Sequence, residues 1–146
     1  MAEINREIII DASLEKIFAY VSKPSNLPEI WPSLTEITNE RLLPNGGYSF
    51  QFVYKMSGVD LNGSGEFTEI VPNQWFTVKT KGSLESTMTW TFRLKEHQTR
   101  VTFTIEYQTP LPLLNRIGKM VIEKINEQEA DLILLNLKAR FVDSAK

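Results

Sequence analysis

Three stretches of this chain alternate between two side-chain sets, and that period limits the folds open to it. Tyr48, Phe50, Phe52, Tyr54 and Met56 interleave with Ser49, Gln51, Val53 and Lys55. Met88, Trp90, Phe92 and Leu94 interleave with threonines and basic residues, and Val101, Phe103, Ile105 and Tyr107 with Thr102, Thr104 and Glu106. Successive side chains on a strand point to opposite faces, so each stretch predicts a strand with one dry, largely aromatic face. An antiparallel sheet made of such strands must have that face covered.

Turn chemistry at hairpin spacing separates these runs: Asn45-Gly46-Gly47, Ser57-Gly58, Pro72-Asn73 and Glu96-His97-Gln98. Further strands are expected near residues 34–43, 60–71 and 75–81, and the stretch from Glu3 to Asp11, with its Ile8-Ile9-Ile10 run, supplies a seventh. Ser13 then caps a short helix with Glu15 in its first turn and Leu14, Ile17 and Val21 on its inner face. It must stop before Pro24, and Pro24, Pro28 and Pro32 leave room for at most a second short helix containing Glu29 and Ile30.

The only long amphipathic element is C-terminal. Leu114, Ile117, Val121, Ile125, Leu132, Leu135, Ala139 and Val142 fall on one helical stripe, opposite Arg116, Glu123, Glu127 and Lys138. With Thr109 as cap and Pro110 at the first position, Leu111 to Val142 reads as one helix. At about 1.5 Å per residue it would span roughly 48 Å. Its stripe is expected to lie on the sheet. Gln128 interrupts the stripe as a buried amide facing a chamber, or marks where the helix overhangs the sheet edge. Leu134, Leu137 and Phe141 leave the stripe and are expected to pack against the first short helices, the other outcome being a homodimer through the helix end. A twisted sheet meets one helix along a line, and Gly63 and Gly65 permit it to bend, so space is expected beside the contact.

At 146 residues with 42% hydrophobic and 23% charged residues, the chain has the size and composition of one domain, 1–146. A net charge of -2 with scattered Lys and Arg argues against a nucleic-acid partner. There are no cysteines, which excludes disulfides, thiolate metal sites and thiol nucleophiles. No run approaches the length of a membrane span, and the N-terminal apolar run is too short for a signal-peptide core, so the expected location is cytoplasmic.

Catalytic signatures are sparse. His97, the sole histidine, falls in a turn and reads as solvated, and no serine sits in a nucleophile elbow. No catalytic residue, metal or cofactor is assigned. Glu66 and Glu69 fall on opposite faces of their strand, so one of them could enter a chamber, where burial would raise its pKa; pairing with Lys79 or Lys81 in solvent is the stronger reading. The aromatic set Phe50, Phe52, Tyr54, Trp90, Phe92, Phe103 and Tyr107 is either a solid core or a pocket wall with tyrosine hydroxyls for a head group.

The stretch IIIDASLEKIFAYVSKPSNLPEIWPSL (8–34) and the strand-Pro-turn-strand GEFTEIVPNQWFTVKT (65–80) resemble the START and birch-pollen-allergen-like helix-grip superfamily, of the SRPBCC, polyketide cyclase/dehydrase and lipid-transport type. The resemblance covers nearly the whole chain. It implies an α+β helix-grip fold: a curved antiparallel sheet of six to seven strands wrapped around the long C-terminal helix, with two short helices after the first strand. It also implies a hydrophobic pocket between sheet and helix, which tips the aromatic set toward pocket wall. The expected ligand-binding residues are Phe50, Phe52, Tyr54, Phe67, Met88, Trp90, Phe92, Phe103 and Tyr107 from the sheet, and Leu114, Ile117, Val121, Ile125 and Gln128 from the helix. Trp31, with its Pro-rich link, and the turn around residues 58–62 are expected to gate the pocket. The implied partner is a small hydrophobic or amphipathic ligand: a lipid, isoprenoid, polyketide or aromatic. A cyclase or hydratase using a cavity carboxyl or tyrosine, and a chaperone- or ribosome-associated adaptor, are the alternatives that relatives suggest.

Overall fold

The computed structural model describes residues 2–142. In chain order they form β1 (Ala2–Ile10), α1 (Leu14–Val21), a 3-10 helix (Pro24–Glu29), β2 (Leu34–Leu42), β3 (Tyr48–Met56), β4 (Val59–Val71), β5 (Trp75–Gly82), β6 (Ser86–Lys95), β7 (Gln98–Tyr107), α2 (Leu111–Ile117) and α3 (Lys119–Val142). The strands make one antiparallel sheet in the order β1-β7-β6-β5-β4-β3-β2. Every pair but one is a sequential hairpin; β1 alone comes from afar, pairing Ala2 with Tyr107 through to Ile10 with Thr99. This curved open sheet with its C-terminal helix is the α+β helix-grip arrangement expected.

Local chemistry sets the boundaries. The Ser13 side chain accepts from the Lys16 N–H and starts α1. Ser57 and Gly58, at φ 50° and 80°, turn β3 into β4 with the twist that suits a hairpin. Gly63 and Gly65 have a steric role: a Cβ there would stand 2.8 Å from the Phe52 ring and 2.3 Å from that of Phe50. Two β3 rings thus lie directly across the bare backbone of β4.

The C-terminal helix departs from expectation in two ways. It is broken at Gly118, where φ 82° and ψ 158° leave the helical region, and it starts at Leu111 with Pro110 as an N-cap that makes no side-chain hydrogen bond, so Thr109 does not cap it. The inward stripe also differs. Ile122, Ala130, Ile133, Leu137 and Phe141 are buried, whereas Val121, Leu132, Leu135 and Val142 are about half exposed. The helix carries two apolar stripes, and the break at Gly118 uncouples the rotation of α3 from α2, so a stripe extrapolated from Leu114 and Ile117 faces outward. Leu134, Leu137 and Phe141 are buried as expected, with Phe141 edge-on to Tyr20 of α1 at 5.8 Å. The Asn136 side chain donates to the Ile30 carbonyl at 3.0 Å, and Arg6 meets Asp131 at 3.0 Å, binding α3 to the 3-10 segment and to β1.

Candidate ligand-binding cavity

The inner face of the sheet is covered in two parts. Beneath α1, Phe67 stacks on Phe76 at 4.8 Å, Phe76 lies over Trp90 and Phe92, and Phe18 drops edge-on onto Phe76 at 5.8 Å and Phe92 at 5.1 Å. That end is solid. Beneath α2 and α3 a cavity of about 70 Å³ remains.

Six of the expected sheet residues line it: Phe50, Phe52, Tyr54, Met88, Phe103 and Tyr107. The expected Phe67, Trp90 and Phe92 do not; they join Phe76 in the aromatic stack of the solid end, where Phe18 packs on Phe76 and Phe92. None of the expected helix residues lines it either. Val121 and Gln128 are exposed, and Leu114, Ile117 and Ile125 are only partly buried. Leu113, Ile122, Asn126, Glu129, Ala130 and Ile133 form that wall instead. Trp31, expected as a gate, is itself a buried wall residue, beside Leu27 and Leu34. Arg116 of α2 lies against the Gly58 turn, so α2 and that turn meet at one side of the cavity.

The wall is mostly hydrocarbon; besides Asn126 and the Tyr107 hydroxyl it carries two polar clusters. Thr80 and Ser86 bond each other at 2.6 Å, and Thr80 donates to the Leu84 carbonyl at 3.0 Å, so that pair is satisfied internally. The second cluster is Glu129, which is 8% exposed. Its carboxylate accepts from the Ser33 hydroxyl and, at 3.2 Å, from the Tyr54 hydroxyl. Among the described residues it is the only acidic one in the wall, and no lysine, arginine or histidine lines the cavity. Burial pushes the Tyr54 phenol well above its ordinary pKa, and the neighbouring Glu129 charge pushes it further. The indole of Trp31 stands edge-on to Tyr54 at 6.4 Å; its N–H is near enough to pull that pKa the other way, yet it closes no hydrogen bond and is buried without a partner among the described residues. Tyr107, on the same wall, is also raised by burial.

The buried carboxyl therefore comes from the helix, not from β4. Glu66 and Glu69 are both exposed, since a bulge between Phe67 and Glu69 inserts one residue and returns Glu69 to the outer face. Glu66 sits opposite Lys79, in keeping with the solvated reading. Sequence reasoning missed Glu129 and Asn126, which it placed on neither side of the helix. The signal that would have found Glu129 was the second stripe, Ile122, Ala130, Ile133 and Leu137, inside which it falls. His97 is exposed in the β6–β7 turn. Among the described residues no group of three or more His, Cys, Asp or Glu is placed to hold a metal, and no helix is long and apolar enough to cross a membrane.

A curved sheet gripping a terminal helix around an apolar cavity defines a class of small-ligand folds, and sequence similarity narrows it. Residues 1–142 match the family described as polyketide cyclase / dehydrase and lipid transport, and the chain belongs to that family. Solved structures agree on the fold. A START superfamily protein from Mycobacterium smegmatis superposes with a TM-score of 0.79 at 13% identity, covering 99% of each chain. A protein from Thermus thermophilus gives 0.74 at 19%, covering 99% of this chain and 100% of its own. The di-domain ARO/CYC StfQ from the steffimycin biosynthetic pathway gives 0.74 at 13%, covering 94% of this chain and 49% of that one. No curated protein matches the sequence.

Proposed function

We propose that this chain, acting as one domain, binds a small hydrophobic or amphipathic molecule in the cavity between the sheet and α3. The observation that carries this reading is a hydrocarbon chamber with one buried carboxylate, which accepts hydrogen bonds from Ser33 and Tyr54. A filled core has no use for a glutamate, because burying a carboxylate is costly and the two hydroxyls here offset only part of the lost hydration. At about 70 Å³ the cavity is far below the several hundred Å³ of lipid-sized pockets, so uptake of a large guest requires the wall to move. The segment supported least by packing is α2, which joins α3 through Gly118, a residue with no atom within 4 Å of the position a Cβ would take. Extraction of the purified protein with organic solvent and mass spectrometry, together with tryptophan emission during titration with aromatic probes, tests the reading. A bound small molecule or a saturable shift supports it; an empty extract with no shift rejects it.

A second reading, an enzyme of the cyclase or dehydratase type, is favoured by the Glu129–Tyr54 pair, because an apolar chamber holding a carboxylate and a phenol has a proton acceptor and a donor in contact. Turnover of a poly-β-keto substrate that is lost in both Glu129→Gln and Tyr54→Phe would establish it. The outward stripe of α3, with Leu132, Leu135 and Val142 about half exposed, supports a homodimer through this helix, to be tested by sedimentation of wild type and Leu135→Glu.

A further inference from the structure

The wall also carries information about the ligand's head group. Two features of the polar cluster are incomplete. Each Glu129 oxygen accepts one hydrogen bond, from Ser33 or Tyr54, and a carboxylate oxygen can accept a second. Trp31, which shares the wall and stands edge-on to Tyr54, holds a buried N–H whose neighbouring acceptor, the Tyr54 hydroxyl, is placed too poorly to close a hydrogen bond. An unpaired buried donor is costly, so a guest that supplies an acceptor there gains more than it would from hydrocarbon contact alone. The Thr80–Ser86 pair does not compete, because its hydroxyls are already bonded to each other and to the backbone.

We infer that the cavity selects a hydroxyl-headed apolar ligand, an alcohol or phenol whose oxygen accepts from the Trp31 indole N–H while its O–H donates to Glu129. This rests on the reading of the cavity as a binding site. The chemistry separates head groups sharply. A hydroxyl is both donor and acceptor. A carboxylate head accepts from Trp31 but sets a second negative charge beside Glu129, in a wall with no lysine, arginine or histidine among the described residues to compensate it. An ammonium head pairs with Glu129 and leaves the indole N–H unpaired. A ketone satisfies Trp31 and brings nothing to the carboxylate. Fatty acids are thus rejected at the head.

Three probes of one ring system isolate the effect: 2-naphthol, 2-naphthoate and naphthalene, titrated calorimetrically at neutral pH. The expected order is 2-naphthol tightest, with 2-naphthoate weaker by about tenfold or more, the scale of a hydrogen bond to a charged group. In Glu129→Gln the 2-naphthoate affinity rises toward that of 2-naphthol, and Trp31→Phe lowers the preference for 2-naphthol over naphthalene. Thermal melts of both variants establish that they fold. If 2-naphthoate binds wild type as tightly as 2-naphthol, the head-group inference falls while the binding function stands. If none of the three probes binds, nor 1-decanol as a flexible alternative, both fall together.

Discussion

The two ends of the sheet's inner face are built from the same alternating strands and finish in different states. Under α1 the rings of Phe67, Trp90 and Phe92 pack around Phe76, Phe18 comes down on Phe76 and Phe92, and none of the four sheet rings reaches the cavity. Under α3 the rings of Phe50, Phe52, Tyr54 and Phe103 share the cavity wall with Ile122, Asn126, Ala130 and Glu129, and the Glu129 carboxylate is bonded by two hydroxyls. The difference lies in the cover, not in the strands. A helix that inserts a ring makes a core; a helix that presents an alanine and a tethered glutamate makes a chamber.

The strongest way to break this comparison is to truncate one ring at each end. Trp90→Ala is expected to cost about 3–5 kcal/mol in urea unfolding, because Trp90 is fully buried between Phe76 and Phe103. Phe52→Ala, beside existing free volume, is expected to cost at least about 1 kcal/mol less and to strengthen probe binding. Equal losses would mean that the two ends are packed alike. Trp90 is thus a stability position, where the sequence had pointed to ligand uptake.

Gly65→Ala brings a Cβ to 2.3 Å from the Phe50 ring and must displace it, at an expected cost of about 1–3 kcal/mol. Displacement of the ring into the cavity should appear in calorimetry as weaker probe binding. Gly118→Ala acts on the backbone alone, since nothing stands within 4 Å of the new Cβ; at φ 82° the strain is expected to cost about 1–2 kcal/mol. Unchanged stability with increased helical circular dichroism would show instead that α2 and α3 can fuse into the single helix that their sequence suggests.

The smallest effect lies outside both ends and serves as a control. Partial burial of Glu40 works to raise its pKa, but hydrogen bonds from the Lys23 ammonium and the Ser25 N–H outweigh it and hold the carboxyl below its ordinary value. A depressed folded pKa means stabilisation that is present above the unfolded value and lost as pH falls through the folded one. With the Lys23 ammonium open to solvent, screening keeps the contribution small. Glu40→Gln should therefore lower stability slightly at pH 7 and not at all at strongly acid pH, with probe binding untouched at neutral pH.

Much of the fold is legible in the sequence because its signals are local. The hairpin turns at Ser57-Gly58 and Asn73 and the Ser13 cap each depend on a few neighbouring residues, and all appear where their chemistry puts them. The site was legible on its sheet side only in part: parity along β3 identified Phe50, Phe52 and Tyr54, but parity along β4 failed at the bulge that turned Glu69 outward. On the helix side every expected residue missed the wall, since two apolar stripes compete and periodicity alone does not rank them.

By itself, then, the sequence determined that this chain makes a one-faced antiparallel sheet and supplies a long C-terminal helical segment to cover it, because side-chain period and turn chemistry act over a few residues. Only the tertiary structure decided which side of that helix turns inward, and with it whether Gln128 or Glu129 enters the chamber. A rotation of about 100° separates those two neighbours on a helix of 3.6 residues per turn. The packing of α3 against β1 and the 3-10 segment, together with the break at Gly118, selects between them.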